Sequence, residues 1–298
     1  MDLSVITVTW NSEEKIIKQI QSVCAGCREI SFEQIVVDNA SGDKTIEVIN
    51  TNFPEITLIM NLKNEGFGYS NNLGAKLAQG EFILFLNPDM EIEAEGLDKI
   101  VKWMRGNREV GIGGCKLVDK QGNFLDEAKP RRFPKNWEML VLIFKLFHLM
   151  PSLLNKYLSS NFNPNKEQEV DSVRGSFLMI RREIIEKLGW AFDPRYFIWF
   201  EDVDLCREVK SLGYQIKYTP ITTCMDYFGQ SFDQKDLLWK QKKFTESMLK
   251  YFRKWEPWYK WIWIMMLRPM GIILTWIYLK IFQNKQRDLP ASYFIKVI

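Results

Sequence analysis

The chain has 298 residues, 46% of them hydrophobic and 26% charged, enough for one large domain or one domain with an appendage. Its 17 glycines, 11 prolines and 14% aromatics exclude disordered, collagen-like and low-complexity classes, and five cysteines in this length make no disulfide scaffold. The single histidine, His148, excludes multi-histidine metal cages and any serine–histidine or cysteine–histidine machinery that does without it; the net charge of +3 hides a basic tail, residues 233–298, with 13 Lys+Arg against 5 Asp+Glu and six of the eleven tryptophans.

The N-terminus has no basic stretch or cleavage site. It reads as a β-branched strand, Leu3–Thr9, not as a signal peptide, which places the thiols in a reducing compartment. Helical spacing follows over Glu13–Cys24, then a strand at Gln34–Val37, a helix at Asp43–Asn50 and a strand at Ile56–Met60. The pattern continues with a helix at Tyr69–Ala78, a strand at Glu81–Leu86, a helix at Asp98–Met104 and a strand at Val110–Cys115. Cys24 and Cys27 form one C-x-x-C near a helix end with no second pair to complete a zinc site, so structural thiols are favoured.

This alternation predicts an α/β fold with a mostly parallel sheet. Ligands of such sheets bind beyond the carboxyl ends of the strands. Trp10-Asn11, Asp38-Asn39 and Asn87-Pro88-Asp89 are expected to converge there.

From about Lys129 to Glu169 the pattern changes, with Trp137–Met150 apolar on nearly every side. Val170–Ile180 reads as a strand, Arg181–Leu188 and Trp199–Leu212 as helices, and Tyr214–Tyr218 as a strand. Trp258–Phe282 is long enough to cross a hydrocarbon core of ~30 Å. Arg268-Pro269 near its centre argues otherwise: a central arginine costs roughly 2.5–3.5 kcal/mol on insertion, and proline interrupts a helix. The expectation is two short apolar pieces lying in the headgroup region between Lys260 and Lys280, helped by Lys240, Lys242, Lys243, Lys250, Arg253 and Lys254. Packing on the main domain or a dimer interface is the alternative.

Four places carry chemistry. Asp38, at a strand end, either accepts hydrogen bonds from a nucleobase or ribose or caps a turn. Asp89, held behind Pro88, suits a hard divalent cation bridging a diphosphate, with a plain turn residue as the alternative. Residues 64–74 (NEGFGYSNNLG) combine close backbone approach at the glycines with asparagine amides, but Asn71 stands where a dinucleotide fingerprint needs its third glycine. Glu201, Asp202 and Asp204 open a helix behind the aromatic run Tyr196 to Phe200. Either they serve the helix dipole, or the wall of rings raises a carboxylate for general-base work and stacks on a sugar.

Taken in order, VTWNSE (8–13), VVDNASGD (36–43), NEGFGYSNNLGAKLAQGEFILFLNPD (64–89), RGSFLMIRREIIEKLG (174–189), FDPRYFIWFEDVDLCREVKSLGY (192–214) and FGQS (228–231) resemble the bacterial family 2 glycosyltransferases with a GT-A fold, closest to their rhamnosyltransferase-like branch. The resemblance covers residues 1–232 as a transferase domain with an apolar helical insertion near 135–160, leaving 233–298 as a membrane-interface tail. It implies inverting transfer of a sugar from a nucleotide diphosphate-sugar to an acceptor hydroxyl. Donor contacts then fall to Thr9, Asn11, Asp38, Asn39, Asn64, Gly66, Asn71, Asn87 and Asp89, and the catalytic base to Asp202 beside Glu201. Trp199, Arg174 and Gly175 lie on the acceptor side. Asp89 and Asp226 are the implied ligands of Mg2+ or Mn2+, although the family usually has histidine where this chain has Asp226. Aspartate also ligates a hard cation but donates no proton.

By resemblance the donor is dTDP-rhamnose, with UDP-hexoses behind it. The acceptor is a glycan or polyprenyl-linked saccharide at the cytoplasmic face of the cell membrane, and a homodimer remains open. A sugar-nucleotide pyrophosphorylase should open on a glycine-rich basic loop that Trp10-Asn11-Ser12-Glu13 lacks, and intact Asp38, Asp89 and Asp202 argue against a silent membrane adaptor. The Trp-rich basic tail suits lipid better than nucleic acid.

Overall fold

Residues with β-branched or aliphatic side chains on both faces make β1 (Leu3–Thr9) and β4 (Phe82–Leu86) buried along nearly their whole length, as strands covered by helices on both sides must be. β1 pairs in parallel with β2 (Phe32–Asp38) on one side and β4 on the other, and β3 (Thr57–Met60) extends the sheet beyond β2. The crossovers are α1 (Ile16–Gly26), α2 (Thr45–Asn52) and α3 (Phe67–Leu77), so the carboxyl ends of β1, β2 and β4 share one edge. The computed structural model describes residues 1–146, 150–227 and 236–282. His148, the 228–231 motif and the chain beyond Phe282 lie outside the described residues.

The sheet is mixed, not mostly parallel. Its order is β3-β2-β1-β4-β8-β6-β9-β5, with β7 (Gln168–Glu169) also on β9. β8 (Phe177–Arg181) runs antiparallel to both β4 and β6 (Val110–Val118), while β9 (Gln215–Asp226) is parallel to β6 and antiparallel to β5 (Met90–Ile92) and β7. Side-chain periodicity marks strands but not their direction, and β8 enters after a long excursion from β6.

Three further elements differ from expectation. Of the expected strand 170–180 only Phe177–Ile180 falls in β8, which runs one residue further to Arg181, because Arg131 bridges to Ser172 and residues 173–176 turn away toward the site. β9 runs on to Asp226 past Pro220; Gly114 faces Tyr218 and Lys116 faces Thr223, so the extra residues around the proline form an irregularity in the pairing. β5, three residues after Pro88, is too short to show a period.

On the sheet faces lie α4 (Gly96–Gly106), α6 (Arg182–Leu188) and α7 (Glu201–Ser211). α5 (Asn136–Ile143) covers the start of the apolar 137–150 stretch. α8 (Leu237–Trp255) buries Phe244, Met248, Tyr251 and Phe252 with Met139, Tyr196 and Phe200 in one cluster. Lys254 on α8 reaches three buried carboxylates at once: Asp193 at 3.0 Å, Asp204 at 2.5 Å and Glu208 at 2.6 Å.

α9 (Trp258–Phe282) is continuous through Pro269 and not two pieces. The helix gives up one hydrogen bond there, but Arg268 donates from Nε to Thr245 Oγ1 at 3.0 Å and from Nη2 to Lys242 O at 3.2 Å, tying the same turn to α8. The arginine that argued against a hydrophobic helix is therefore turned toward protein. Trp258, Trp263, Met266, Met270, Ile273 and Trp276 stay more than half exposed along the rest of the helix.

Candidate active site

At the carboxyl edge of β1 and β2, two non-glycine residues take left-handed backbone, Asn11 at φ 52 and Ala40 at φ 59. Such conformations persist only where surrounding contacts enforce them. Here those contacts start from Asp38, which has no exposed surface. Its Oδ1 accepts from Thr9 Oγ1 at 3.0 Å and from Ser41 Oγ at 2.5 Å, and its Oδ2 accepts from the Ser41 amide at 2.9 Å. Ser41 Oγ in turn accepts from the Asn11 amide at 2.9 Å, and Asn11 Oδ1 accepts from the Gly42 amide at 2.8 Å. Thr9, Asn11 and Asp38 are thus brought together as one braced turn.

Asn39 ties this turn to the next loop. Its Oδ1 accepts from Ser70 Oγ at 2.6 Å and Asn61 Nδ2 at 2.8 Å, and its Nδ2 donates to Gly66 O at 3.3 Å. Asn64 is exposed and accepts from the Gly66 amide, whereas Asn71 is buried and donates to Phe67 O. Gly66 itself has φ +90, and a Cβ there would sit 2.4 Å from Phe197 O. Only glycine lets this loop lie so close to the segment leading to Asp202. The Phe67 amide closes the junction by donating to Phe197 O at 2.9 Å.

That segment is strained as well. Trp199 and Phe200 are both left-handed, at φ 64 and 68, which is why α7 begins at Glu201 and not at Trp199. The double turn places Glu201 and Asp202 at the head of the helix, where the Gly175 amide donates to Asp202 Oδ2 at 3.0 Å and the Val203 amide to Oδ1 at 2.8 Å. Asp202, Glu201, Trp199, Arg174 and Gly175 line one cavity of about 180 Å³, which Asn87, just past the end of β4, also lines.

Burial, with the Asp202 charge adding to it, pushes the Glu201 carboxyl up to about 8, so it holds its proton at neutral pH beside Asp202. Burial and the neighbouring Arg131 pull Arg174 down to about 10, still fully charged at neutral pH, while Asp226 and Asp202 act in the other direction. Arg174 also donates to Glu127 O.

Asp89 and Asp226 come from distant stretches of chain. Antiparallel pairing sets Met90 opposite Asp226, and the Tyr227 amide donates to Asp89 O at 3.2 Å. Both carboxylates are buried, at 5% and 8% exposure. Their backbones are neighbours across the β5–β9 pair, and carboxylates are the donor type that a divalent cation takes when phosphate and water fill its other positions. Asp193, Asp204 and Glu208 form a second acidic triad within 4.8 Å of one another, but the Lys254 ammonium already stands where a cation would sit.

Periodicity did not single out several residues that the fold adds. Lys15, Lys18, Lys120 and Tyr227 surround Asp89 in a recess of about 230 Å³. Lys129, Arg131, Tyr157 and Phe244 join the Asp202 cavity. Asn72, not Asn71, clamps the next segment: its Oδ1 accepts from the Ala191 and Phe192 amides, both at 2.9 Å, and its Nδ2 donates to Phe192 O at 2.6 Å. The asparagine-rich loop was the available signal for Asn72; no local signal pointed to the basic residues.

Glycosyl transferase family 2 matches residues 4–189, well over half of the chain. The chain belongs to that family. Within it, the low-salt glycan biosynthesis hexosyltransferase Agl10 of Haloferax volcanii is 27% identical over 69% of this chain and 60% of its own length. The rhamnosyltransferase WbbL of Escherichia coli K12 is 27% identical over 59% of this chain and 67% of its own. These relatives place the chain in the rhamnosyltransferase-like branch. The fold is GT-A: the mannosyltransferase PcManGT of Pyrobaculum calidifontis, solved with GDP-Man and Mn2+, superposes with a TM-score of 0.56 at 16% identity, over 95% of this chain and 75% of that one. The chain spans about 60% of the length of the Haloferax protein.

Proposed function

We propose that this family 2 glycosyltransferase moves a sugar, with inversion, from a nucleotide diphosphate-sugar to a hydroxyl of a glycan or polyprenyl-linked saccharide. The observation that carries the reading is the Asp202 carboxylate, held by two backbone amides on the wall of a cavity that Asn87 joins to the donor edge. Asp202 accepts the proton of the acceptor hydroxyl, whose oxygen attacks the anomeric carbon. The bond from that carbon to the diphosphate breaks on the opposite face, and the nucleoside diphosphate leaves with the bonding pair. Protonated Glu201 stands beside Asp202 without competing for the proton.

The braced turn of Thr9, Asn11, Asp38 and Asn39 receives the nucleoside, with Asp38 acting through Ser41 and Thr9 as much as by direct contact. Asn64, Gly66 and Asn71 form the adjoining loop, while Arg174, Gly175 and Trp199 face the acceptor. Asp89 and Asp226 would hold Mg2+ or Mn2+, which neutralises diphosphate charge when bound. L-Rhamnose from dTDP-rhamnose is the first donor to test, supported by the Escherichia relative, with UDP-hexoses next.

The exposed face of α9 lies on the cytoplasmic surface of the membrane. It is supported by one helix, Trp258–Ile277, long and apolar enough to cross a bilayer, of which 17% is buried. Residues 1–232 then act as the transferase unit and 233–298 as its membrane-side extension.

The test is nucleoside diphosphate release from a panel of nucleotide-sugars, with and without Mg2+ or Mn2+, for the full chain and for Asp202→Asn. Turnover of the variant should fall by roughly 10²–10⁴-fold with donor binding retained. Near-full activity in Asp202→Asn would remove it as the base, and full activity in excess chelator would remove the metal.

A further inference from the structure

A second space, of about 450 Å³, opens between α3, α6 and residues 189–194 and shares no lining residue with the Asp202 cavity. Its size falls in the range of roughly 300–1,000 Å³ typical of small-molecule sites. The two adjoin across one aromatic contact. Phe67 lines the Asp202 cavity, and its ring centre stands 5.4 Å from that of Phe192, whose neighbour Ala191 lines the second space. Along α3 the groove runs from Tyr69 to Ala78, about 14 Å at 1.5 Å per residue, longer than one pyranose ring.

The walls are set before any ligand arrives. Asn72 fastens the backbone of Ala191 and Phe192 to α3 through its side-chain amide. Trp190 donates from Nε1 to Glu208 Oε2 at 3.3 Å, and Lys254 holds the other oxygen of that carboxylate at 2.6 Å. The indole is thus anchored at its polar corner while 38% of the residue stays exposed, as does 43% of Tyr69. Fixing a contact surface in advance lowers the entropy lost on binding. On α6, Arg182 gives Nη1 to Glu186 Oε1 at 3.1 Å, an exposed pair worth little to stability, and its Nε has no partner among the described residues. Both side chains keep hydrogen-bonding capacity for a ligand.

Tyr69 and Trp190 offer flat apolar rings, and Arg182 and Glu186 offer donors and acceptors on the same lining. An acyl chain would cover the rings but take water from Arg182 and Glu186 without replacing its hydrogen bonds. A simple anion would meet Glu186 as well as Arg182 and leave the rings wet. A sugar satisfies both: its C–H face stacks on an aromatic ring, while its hydroxyls donate to the carboxylate and accept from the guanidinium. We infer that this groove is a saccharide subsite apart from the transfer cavity, with a sugar ring on Trp190 and its hydroxyls at Arg182 and Glu186. The occupant is a stretch of the acceptor glycan removed from the reacting hydroxyl, and in that respect alone the inference rests on the transfer reading.

The full chain, in a detergent without a sugar headgroup, is titrated with neutral di- to tetrasaccharides of hexose, 6-deoxyhexose and N-acetylhexosamine, and binding is read by saturation-transfer NMR. At least one oligosaccharide should bind, and Trp190→Ala and, separately, Glu186→Ala should each weaken it about tenfold. In transfer assays both variants should raise KM for a long acceptor and leave kcat, and KM for a monosaccharide acceptor, unchanged. Thermal unfolding verifies that each variant folds; if Trp190→Ala unfolds for want of its Glu208 contact, the exposed Glu186→Ala carries the comparison by itself. No binding by any member of the panel, or binding that the folded variants keep, would overturn the subsite. A fall in kcat in Glu186→Ala would overturn it too, because the groove would then serve the reaction itself. Normal transfer with unaltered KM in both variants would sink the subsite alone. Groove-dependent binding in a chain that transfers from no donor would sink the transfer reading alone.

Discussion

Glu201 and Gly66 show how much of the site rests on single side chains. The Glu201 carboxyl is raised in the folded chain to about 8, so between about pH 4.5 and 8 the folded state keeps a proton that the unfolded state has lost. Its contribution is therefore fully present below about pH 4.5 and is lost as pH rises through about 8. Glu201→Gln cannot ionise and should escape that loss. Thermal unfolding measured from pH 5 to 9 should show the variant gaining on the parent as pH rises, and two parallel profiles would refute the neutral carboxyl.

Gly66→Ala should be destabilising by about 1–3 kcal/mol, because the added Cβ meets Phe197 O at 2.4 Å in a left-handed backbone. Gly175→Ala, whose Cβ would meet Asp202 Cβ at an ordinary 3.4 Å, is the stability control. Equal melting temperatures for the two variants would mean that the loop yields without cost. The motif around Gly66 was legible in sequence; the reason for it, contact with a segment some 130 positions away, was not.

At the scale of elements, α8 is held to the site from several directions. Ser247 Oγ donates to Ile198 O at 2.7 Å, Lys250 to Arg195 O at 2.8 Å, and Phe244 reaches the Asp202 cavity itself. Lys254 compensates three carboxylates, of which Asp204 has no exposed surface and Asp193 is held down at about 2, against its burial, by Arg195 and by Lys254. Removing that ammonium leaves buried charge without its partner. Lys254→Met should cost about 3–5 kcal/mol in denaturant unfolding, more than any exposed lysine of α8. A loss under 1 kcal/mol would show that the triad reorganises or protonates cheaply.

In sequence Lys254 was one of six basic residues read as attraction to lipid. The fold separates them: Lys254 faces protein, and Arg253 lies against Trp261 with its guanidinium 4.8 Å from the ring centre. Helical periodicity carries no information about which cation meets a buried acid.

For the whole molecule, the decisive feature is that α9 packs on α8 and α5 through one side. Asn136 donates to Lys260 O, Arg268 binds α8, and Gly271 lies against Ile143. The opposite side shows Trp258, Trp263 and Trp276, each more than half exposed. Aromatic side chains with a polar handle favour the bilayer interface. The full chain should float with vesicles containing anionic lipid, and exchanging those three tryptophans for serine should lower the bound fraction about tenfold with the melting temperature kept. Resistance to carbonate extraction would instead favour a spanning helix, and a dimer that hides these tryptophans would remove the membrane from the account.

The sequence by itself determined the alternation of strand and helix from Leu3 to Cys115, apart from β5, and the family, and it nominated Asp38, Asp89 and Asp202 as candidates, with Asp226 added by the resemblance. Local periodicity and turn chemistry act within a few residues and are readable without the fold. Only tertiary structure decided the direction of β8, the survival of α9 through Pro269 and the cationic wall of Lys129, Arg131 and Arg174. Each depends on energies between distant segments: strand pairing across the sheet, an arginine bonded to a neighbouring helix, and like charges brought to one cavity by loops that share no period.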